Sequence, residues 1–259
     1  METTDNQISV EQIKKEVLPV LFRNTSTLAG YGAVESNSEA LHSFSNLMEG
    51  GAVGSLASKI GEIVAKLSDA DPQRIAEQPT WLDKLLGRQV EKQVRYQVAR
   101  KALDELIADA EEVAQRVRDT IKALDGLLST HANEAQRLNT YIKAGREFLD
   151  ENPTAGVAAA GDLEFDKPRE RFARKLANLA TLLSSHEMSV TQMKLTRAQA
   201  VDMLDRFSET SNVLVPVWRQ HTLALITTKN MNPAMVAEAT KAHHALMRSL
   251  SKSLEGIES

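Results

Sequence analysis

The chain has no cysteine. That inventory alone excludes disulfides, thiolate zinc sites, iron–sulfur clusters and cysteine nucleophiles. Aromatic residues are only 4% of 259 positions, and glycine and proline are sparse, at 12 and 7. A chain poor in aromatics and turn formers but rich in Ala, Leu, Glu, Lys and Arg is expected to be all-helical. No stretch approaches the roughly 20 apolar residues of a membrane span. Residues 1–9 are polar and acidic rather than basic and then apolar, which argues against a secretory signal. The expectation is a soluble, cytoplasmic protein. A net charge of −4 gives no global field for gripping nucleic acid, so nucleic acid is not expected as a partner.

What the chain does have is two stretches of heptad spacing. From residue 88 to 150 there is no proline and only two glycines, Gly126 and Gly145. Apolar or small residues recur there at steps of four and three, from Leu103 and Ile107 through Val117, Leu124, His131, Leu138 and Ile142 to Leu149. Unbroken, such a helix would be about 90 Å long at 1.5 Å per residue. Asn152-Pro153 through Gly156 ends it, and a small-residue loop leads to Pro168, which suits a helical first turn. A second stripe follows through Phe172, Leu176, Leu179, His186, Met193, Ala200, Phe207, Leu214 and Trp218, interrupted by Arg197 and Ser211 and bent by Pro216.

A loop short relative to its helices predicts antiparallel packing. The expected fold is therefore an elongated all-α protein built on a long antiparallel, coiled-coil-like hairpin with shorter flanking helices. Centring the hairpin near Ala158 sets residues opposite when their numbers sum to about 317. Leu138 then faces Leu179, Leu124 faces Met193, His131 approaches His186, and Glu147 lies near Arg169 and Arg171.

The flanks read as smaller pieces. Residues 8–22 are an amphipathic helix that Pro19 would end or kink, and 23–37 read as a polar loop. A short helix is expected around Leu41 to Met48, and another carries Val53, Leu56, Ile60, Ile63 and Leu67. Thr80 opens a further short helix that Gly87 closes. Asn232-Pro233 starts a final helix. The expected division is 1–70 for short helices and loops, 71–226 for the hairpin core, and 227–259 for the last helix.

Few residues suggest chemistry. Gly50, Gly51 and Gly54 precede Lys59, but without a strand and an adjacent Gly-Lys they read as a helix junction, not a phosphate loop. His131 and His186 read as a hydrogen-bonded core pair, since a metal site wants three or four ligands. His243 and His244 read as surface residues. Lys84, Arg88, Lys92 and Arg95 make the entry to the first long helix basic, and Arg169 and Arg171 do the same for the second. Such clusters would suit phosphate, an oxyanion, an acidic membrane or a partner, although interleaved Glu91, Asp104 and Glu170 favour a solvated helix face. No triad order, metal-ligand helix motif or dinucleotide fingerprint is visible, so no catalytic residue, metal or cofactor is expected.

Four blocks in order, Lys66 to Pro72 (KLSDADP), Trp81 to Gly87 (WLDKLLG), Leu138 to Gly145 (LNTYIKAG) and Pro216 to Gln220 (PVWRQ), carry a resemblance. From about residue 60 to 226 the chain resembles the toxic anion resistance family, whose TelA-like members are associated with tellurite resistance. Asp71, Pro72, Trp81, Tyr141, Gly145, Pro216 and Trp218 are its family-like structural positions. The resemblance implies a helical cytoplasmic protein of bacterial stress and tellurite resistance, and it brings no catalytic residues. Typical members look longer beyond the Pro216 block than the 231–259 present here.

Without a thiol or a nucleotide-cofactor fingerprint, the expected contribution to resistance is indirect. The first expectation is a non-enzymatic interaction protein on which other stress-response or resistance proteins dock. The alternatives are an oxyanion- or phosphate-binding protein using the basic clusters, and a peripheral membrane protein using the helix at 52–67. The sequence leaves the oligomeric state open.

Overall fold

A computed structural model describes residues 8–33, 51–76, 92–157, 167–227 and 233–255. The expected helices around Leu41 to Met48 and Trp81 to Gly87 lie outside the described residues. Among the described residues every regular element is helical. In chain order these are α1 (Val10–Gln12), a π turn (Ile13–Val17), α2 (Leu18–Arg23) and a 3-10 helix (Thr25–Gly30). They continue with α3 (Ala52–Asp69), α4 (Pro72–Ala76), α5 (Lys92–Glu151) and α6 (Pro168–Glu209). A second π turn (Thr210–Leu214), α7 (Val215–Thr227) and α8 (Pro233–Glu255) complete the order.

The chain forms two compact units. One comprises Met1–Glu49 with Ala123–Thr196, the other Gly50–Lys122 with Arg197–Ser259. In the first, the stripe of α5 carries Leu138, Ile142 and Phe148 into a core with Phe172, Leu176 and Leu179 of α6. Ile13, Leu18, Leu28 and Tyr31 from the N-terminal elements complete that core. The helices run antiparallel here in the expected register: His131 meets His186, and Gly145 lies against Phe172. Both pairs sum to 317.

In the second unit the other half of the α5 stripe, including Leu103, Ala110, Ala114 and Val117, joins Ala200, Met203, Phe207, Leu214 and Trp218. The apolar face of α3 supplies Leu56, Ile60, Ile63 and Leu67, each with no exposed surface. Amphipathic spacing thus finds its covering partners in both units.

Pro19 and Pro216 both sit within continuous helical stretches. Pro19 does not end its helix, and Pro216 is likewise followed by an intact helix. Each proline stands two residues after a π turn, where Leu18 N–H bonds Ile13 O and Val215 N–H bonds Thr210 O. A proline lacks the N–H of a normal turn and crowds the carbonyl four residues back. The wider π turn upstream relaxes that ladder without breaking the helix.

The polar stretch after Arg23 is also more ordered than a loop. It forms the 3-10 helix and delivers Tyr31, which is 2% exposed. The Tyr31 hydroxyl donates to the Tyr141 carbonyl at 2.8 Å, and its ring meets those of Tyr141 and Phe172 edge-on. At the chain's start, Ser9 and Gln12 form a reciprocal capping box, with bonds of 2.9 and 3.2 Å.

The two glycines of α5 have opposite roles. A Cβ on Gly145 would sit 2.5 Å from Leu176 Cδ2 and 3.1 Å from Phe172 Cζ, both in the buried core. Gly126 has nothing within 4 Å of such a Cβ. Substituting Gly145→Ala should therefore cost about 1–3 kcal/mol of overpacking, only partly offset by alanine's helix preference of roughly 1 kcal/mol. Gly126→Ala keeps only the preference and should raise stability by up to about 1 kcal/mol. Urea denaturation of the two variants checks the signs; equal shifts would remove the close-approach account of Gly145.

Candidate functional site

In the first unit, α5 and α6 place His131 and His186 face to face with their Nδ1 atoms 3.0 Å apart. Both rings are fully buried and tilted at 60°. A contact of that length between two ring nitrogens holds a single proton, so one ring donates from Nδ1 and the other accepts. Among the described residues neither Nε2 has a hydrogen-bond partner. Burial holds the His186 ring below the usual histidine range, and His131 adds to this; Glu134 opposes it and Arg137 reinforces it. Protonating both rings would set two N–H groups against each other. Among the described residues no group of three or more His, Asp or Glu side chains is placed to hold a metal ion.

The basic positions divide between structural tasks. Arg169 donates to the carbonyls of Leu149 and Asn152 at 2.8 and 2.9 Å, closing the C-terminal end of α5, where helical carbonyls lack partners. Arg171 reaches the Thr25 carbonyl at 3.4 Å, and Arg95 donates to the Arg74 carbonyl at 3.1 Å. Lys92 is half-buried at the start of α5. Lys84 and Arg88 lie outside the described residues, as does Trp81. Lys92 and Arg95 belong to one unit, Arg169 and Arg171 to the other.

Glu147 does not pair with Arg169 or Arg171. It meets Lys14 at 3.2 Å, and Glu151 and Glu11 meet the same ammonium. Lys14 has 9% of its side chain exposed, and its hydrogen bond to Glu151, followed by those to Glu147 and Glu11, pushes its pKa up against the effect of burial. Lys59, following the glycines, pairs with Glu62 at 2.9 Å.

Several of the family-like positions make structural contacts. Trp218 is fully buried, stacks on Tyr96 at 5.7 Å, and donates from Nε1 to the Ala70 carbonyl at 2.7 Å. That bond joins the PVWRQ block to the KLSDADP block. Asp71 accepts from the Gln73 backbone N–H at 2.7 Å and thereby caps α4, whose first residue is the buried Pro72. Tyr141 is half-buried and offers its carbonyl to Tyr31. Pro216 is exposed.

His243 is corrected from surface to buried, at 2% exposure, while His244 remains half-exposed and meets Asp71 at 3.0 Å. Adjacent helical residues point about 100° apart, so only one of the two can face inward. Two surface features went unread in the sequence. One is an exposed aliphatic set, Val94, Val98 and Leu223, at 49%, 64% and 41% exposure. Val94 and Val98 are apolar four residues apart yet off the buried stripe, which was the available signal. The other is a cleft beside His243.

The sequence profile of the family described as "Toxic anion resistance protein (TelA)" matches residues 10–255. This extends the resemblance at 60–226 over nearly the whole chain. Protein KlaA of Escherichia coli is 71% identical over 253 residues, covering 98% of each chain. That relative is therefore close to this chain in length. No solved structure matches.

The histidine pair makes a sharp prediction. Because the His186 pKa is depressed in the folded state, its contribution is present in full above its ordinary value of 6.5 and is lost as pH falls through the lower folded value. Buried His243, also depressed, adds a slope of the same sign. The melting temperature should fall between about pH 7.5 and pH 5. His186→Leu alone should cost about 1–3 kcal/mol by orphaning His131, whereas replacing both with Leu should cost less and flatten the slope. Thermal melts across pH distinguish these outcomes; a double variant weaker than the single one would reject the pairing argument.

Proposed function

The chain belongs to the toxic anion resistance (TelA) family, and from that membership we propose that it is a non-enzymatic cytoplasmic interaction protein. It contributes to tellurite resistance by holding another resistance or stress-response protein and does not transform the anion itself. The observation that carries this reading is an apolar groove of about 560 Å³ between the start of α5 and the end of α7. Val94, Val98, Leu223 and Ile226 line it, with Gln93, Gln97, Lys101 and Thr227. Three of its aliphatic side chains are more than 40% exposed. Aliphatic side chains spaced at one helical turn and flanked by polar ones fit the apolar ridge of an amphipathic helix.

The alternatives draw less support. The guanidinium groups of Arg95, Arg169 and Arg171 bond backbone carbonyls, which leaves less of each for an oxyanion. The apolar face of α3 lies in a core, away from any lipid surface. Among the described residues no helix is long and apolar enough to cross a membrane. With no cysteine, the chain has no thiol with which to reduce tellurite.

The test couples capture to function. Val94→Glu with Val98→Glu changes exposed positions and should alter stability by no more than about 0.5 kcal/mol. Affinity purification under tellurite stress should recover a consistent partner with the unaltered chain and lose it with the double variant. Tellurite tolerance of a deletion strain should follow the same order. Bait recovered alone, or full tolerance restored by the double variant, would count against the reading.

A further inference from the structure

The cleft beside His243 lies wholly within the Gly50–Lys122 and Arg197–Ser259 unit and measures about 880 Å³. That is within the size range of small-molecule sites, roughly 300–1,000 Å³. The second half of α3, the beginning of α4 and the middle of α8 form its walls. Val64, Leu67 and Met247 give it an apolar floor, each at 7% exposure or less. Charged groups line the rest: Arg74, Arg248 and His244, with Asp69 and Asp71.

The charges are unequally engaged. Asp71 is occupied by the Gln73 N–H and by His244. Those contacts hold its carboxyl below the usual range although burial, the largest influence, pushes upward. Among the described residues Arg248 uses only Nε, donating to the His244 carbonyl at 3.2 Å. The Arg74 guanidinium has no partner among the described residues; its backbone carbonyl accepts from Arg95 and its backbone N–H bonds Asp71. Two guanidinium ends therefore stand available at one cleft, opposed by the exposed Asp69.

His243 is the second, independent observation. It lines the cleft, is 98% buried, and its Nδ1 has no hydrogen-bond partner among the described residues. An unsatisfied buried nitrogen is a standing cost that a bound polar group would relieve. Burial, then the neighbouring His244 and His221, favour the neutral ring, against the pull of Asp71. A neutral ring offers both a donor and an acceptor.

We propose that this cleft binds a small organic anion, its charged group taken by Arg74 and Arg248 and its apolar body lying on Val64, Leu67 and Met247. Guanidinium forks match the geometry of carboxylate, phosphate and sulfonate groups. A bare inorganic oxyanion would fill little of a cleft of about 880 Å³, so the ligand carries a hydrocarbon or aromatic part. This site is separate from the Val94 groove and stands whether or not a protein docks there.

The probe is anilinonaphthalene sulfonate, an aromatic anion, titrated by fluorescence into the full chain, with uncharged phenylnaphthylamine as its counterpart. Saturable binding is expected, weakened about tenfold or more by Arg74→Gln with Arg248→Gln, as the loss of charge-assisted hydrogen bonds implies. Both arginines are exposed, so these substitutions spare the core. Gly61→Phe should block binding, because Gly61 lines the cleft and has nothing within 4 Å of an added Cβ. The uncharged dye should bind more weakly and ignore the arginine substitutions. Absence of saturable binding, equal affinity for both dyes, or sulfonate binding unchanged in the arginine variant would overturn the proposal. If Gly61→Phe melts early by circular dichroism, the arginine variant still decides.

Discussion

The stripe of apolar and small residues on α5 sets the terms for everything else. A helix of 60 residues with charged sides cannot leave such a seam in water, and helical propensity alone does not hold it. In each unit the seam is covered by part of α6 or its continuation through α7, together with shorter elements that contribute apolar faces of their own. Where the seam carries glycine, at position 145, the covering residues Leu176 and Phe172 come close enough to exclude any Cβ. Where it carries histidine, at 131, the covering residue must answer with a hydrogen bond, and His186 does so. Side-chain size and polarity along one line thus dictate the residues opposite it.

Much of this was legible because heptad spacing is a long-range signal that repeats. The stripe from Leu103 to Leu149 and its counterpart from Phe172 to Trp218 are buried or half-buried at each named position. The 317 register was readable because an antiparallel pair has one free parameter, and the loop composition located it. Isolated contacts were less accessible. Tyr31 sits in a polar stretch with no period, so nothing local announced that its ring would enter a core. The Trp218–Ala70 bond spans 148 residues and could not be read from spacing. Glu147 found Lys14 in place of Arg169 because the N-terminal elements, which the hairpin arithmetic ignored, compete for the same surface.

The basic residues show how composition misleads. Clusters of arginine at helix ends look like ligand sites, yet Arg169 spends its guanidinium on the unpaired carbonyls of α5. A helix end carries partial negative charge and lacks donors, so arginine there serves the fold before any ligand. The more open guanidiniums, on Arg74 and Arg248, are far apart in sequence and form no run that a scan for charge would notice. The PVWRQ and KLSDADP blocks, far apart in sequence, likewise meet through one buried indole.

The π turn at Thr210–Leu214 has a consequence for how this chain tolerates changes in length. Such a turn behaves as a helix with one residue inserted, and each helical residue rotates the chain by about 100°. Because the wider turn absorbs that extra residue, deleting one residue between 210 and 214 would restore an ordinary helix and leave later side chains near their present bearings, whereas a deletion in the ordinary helix around it would swing them by that angle. A deletion just before the turn or after it would take Trp218 from the Ala70 carbonyl; one inside it would not. The π turn is therefore the place where this helix best absorbs the loss of one residue, and the same holds on a smaller scale before Pro19.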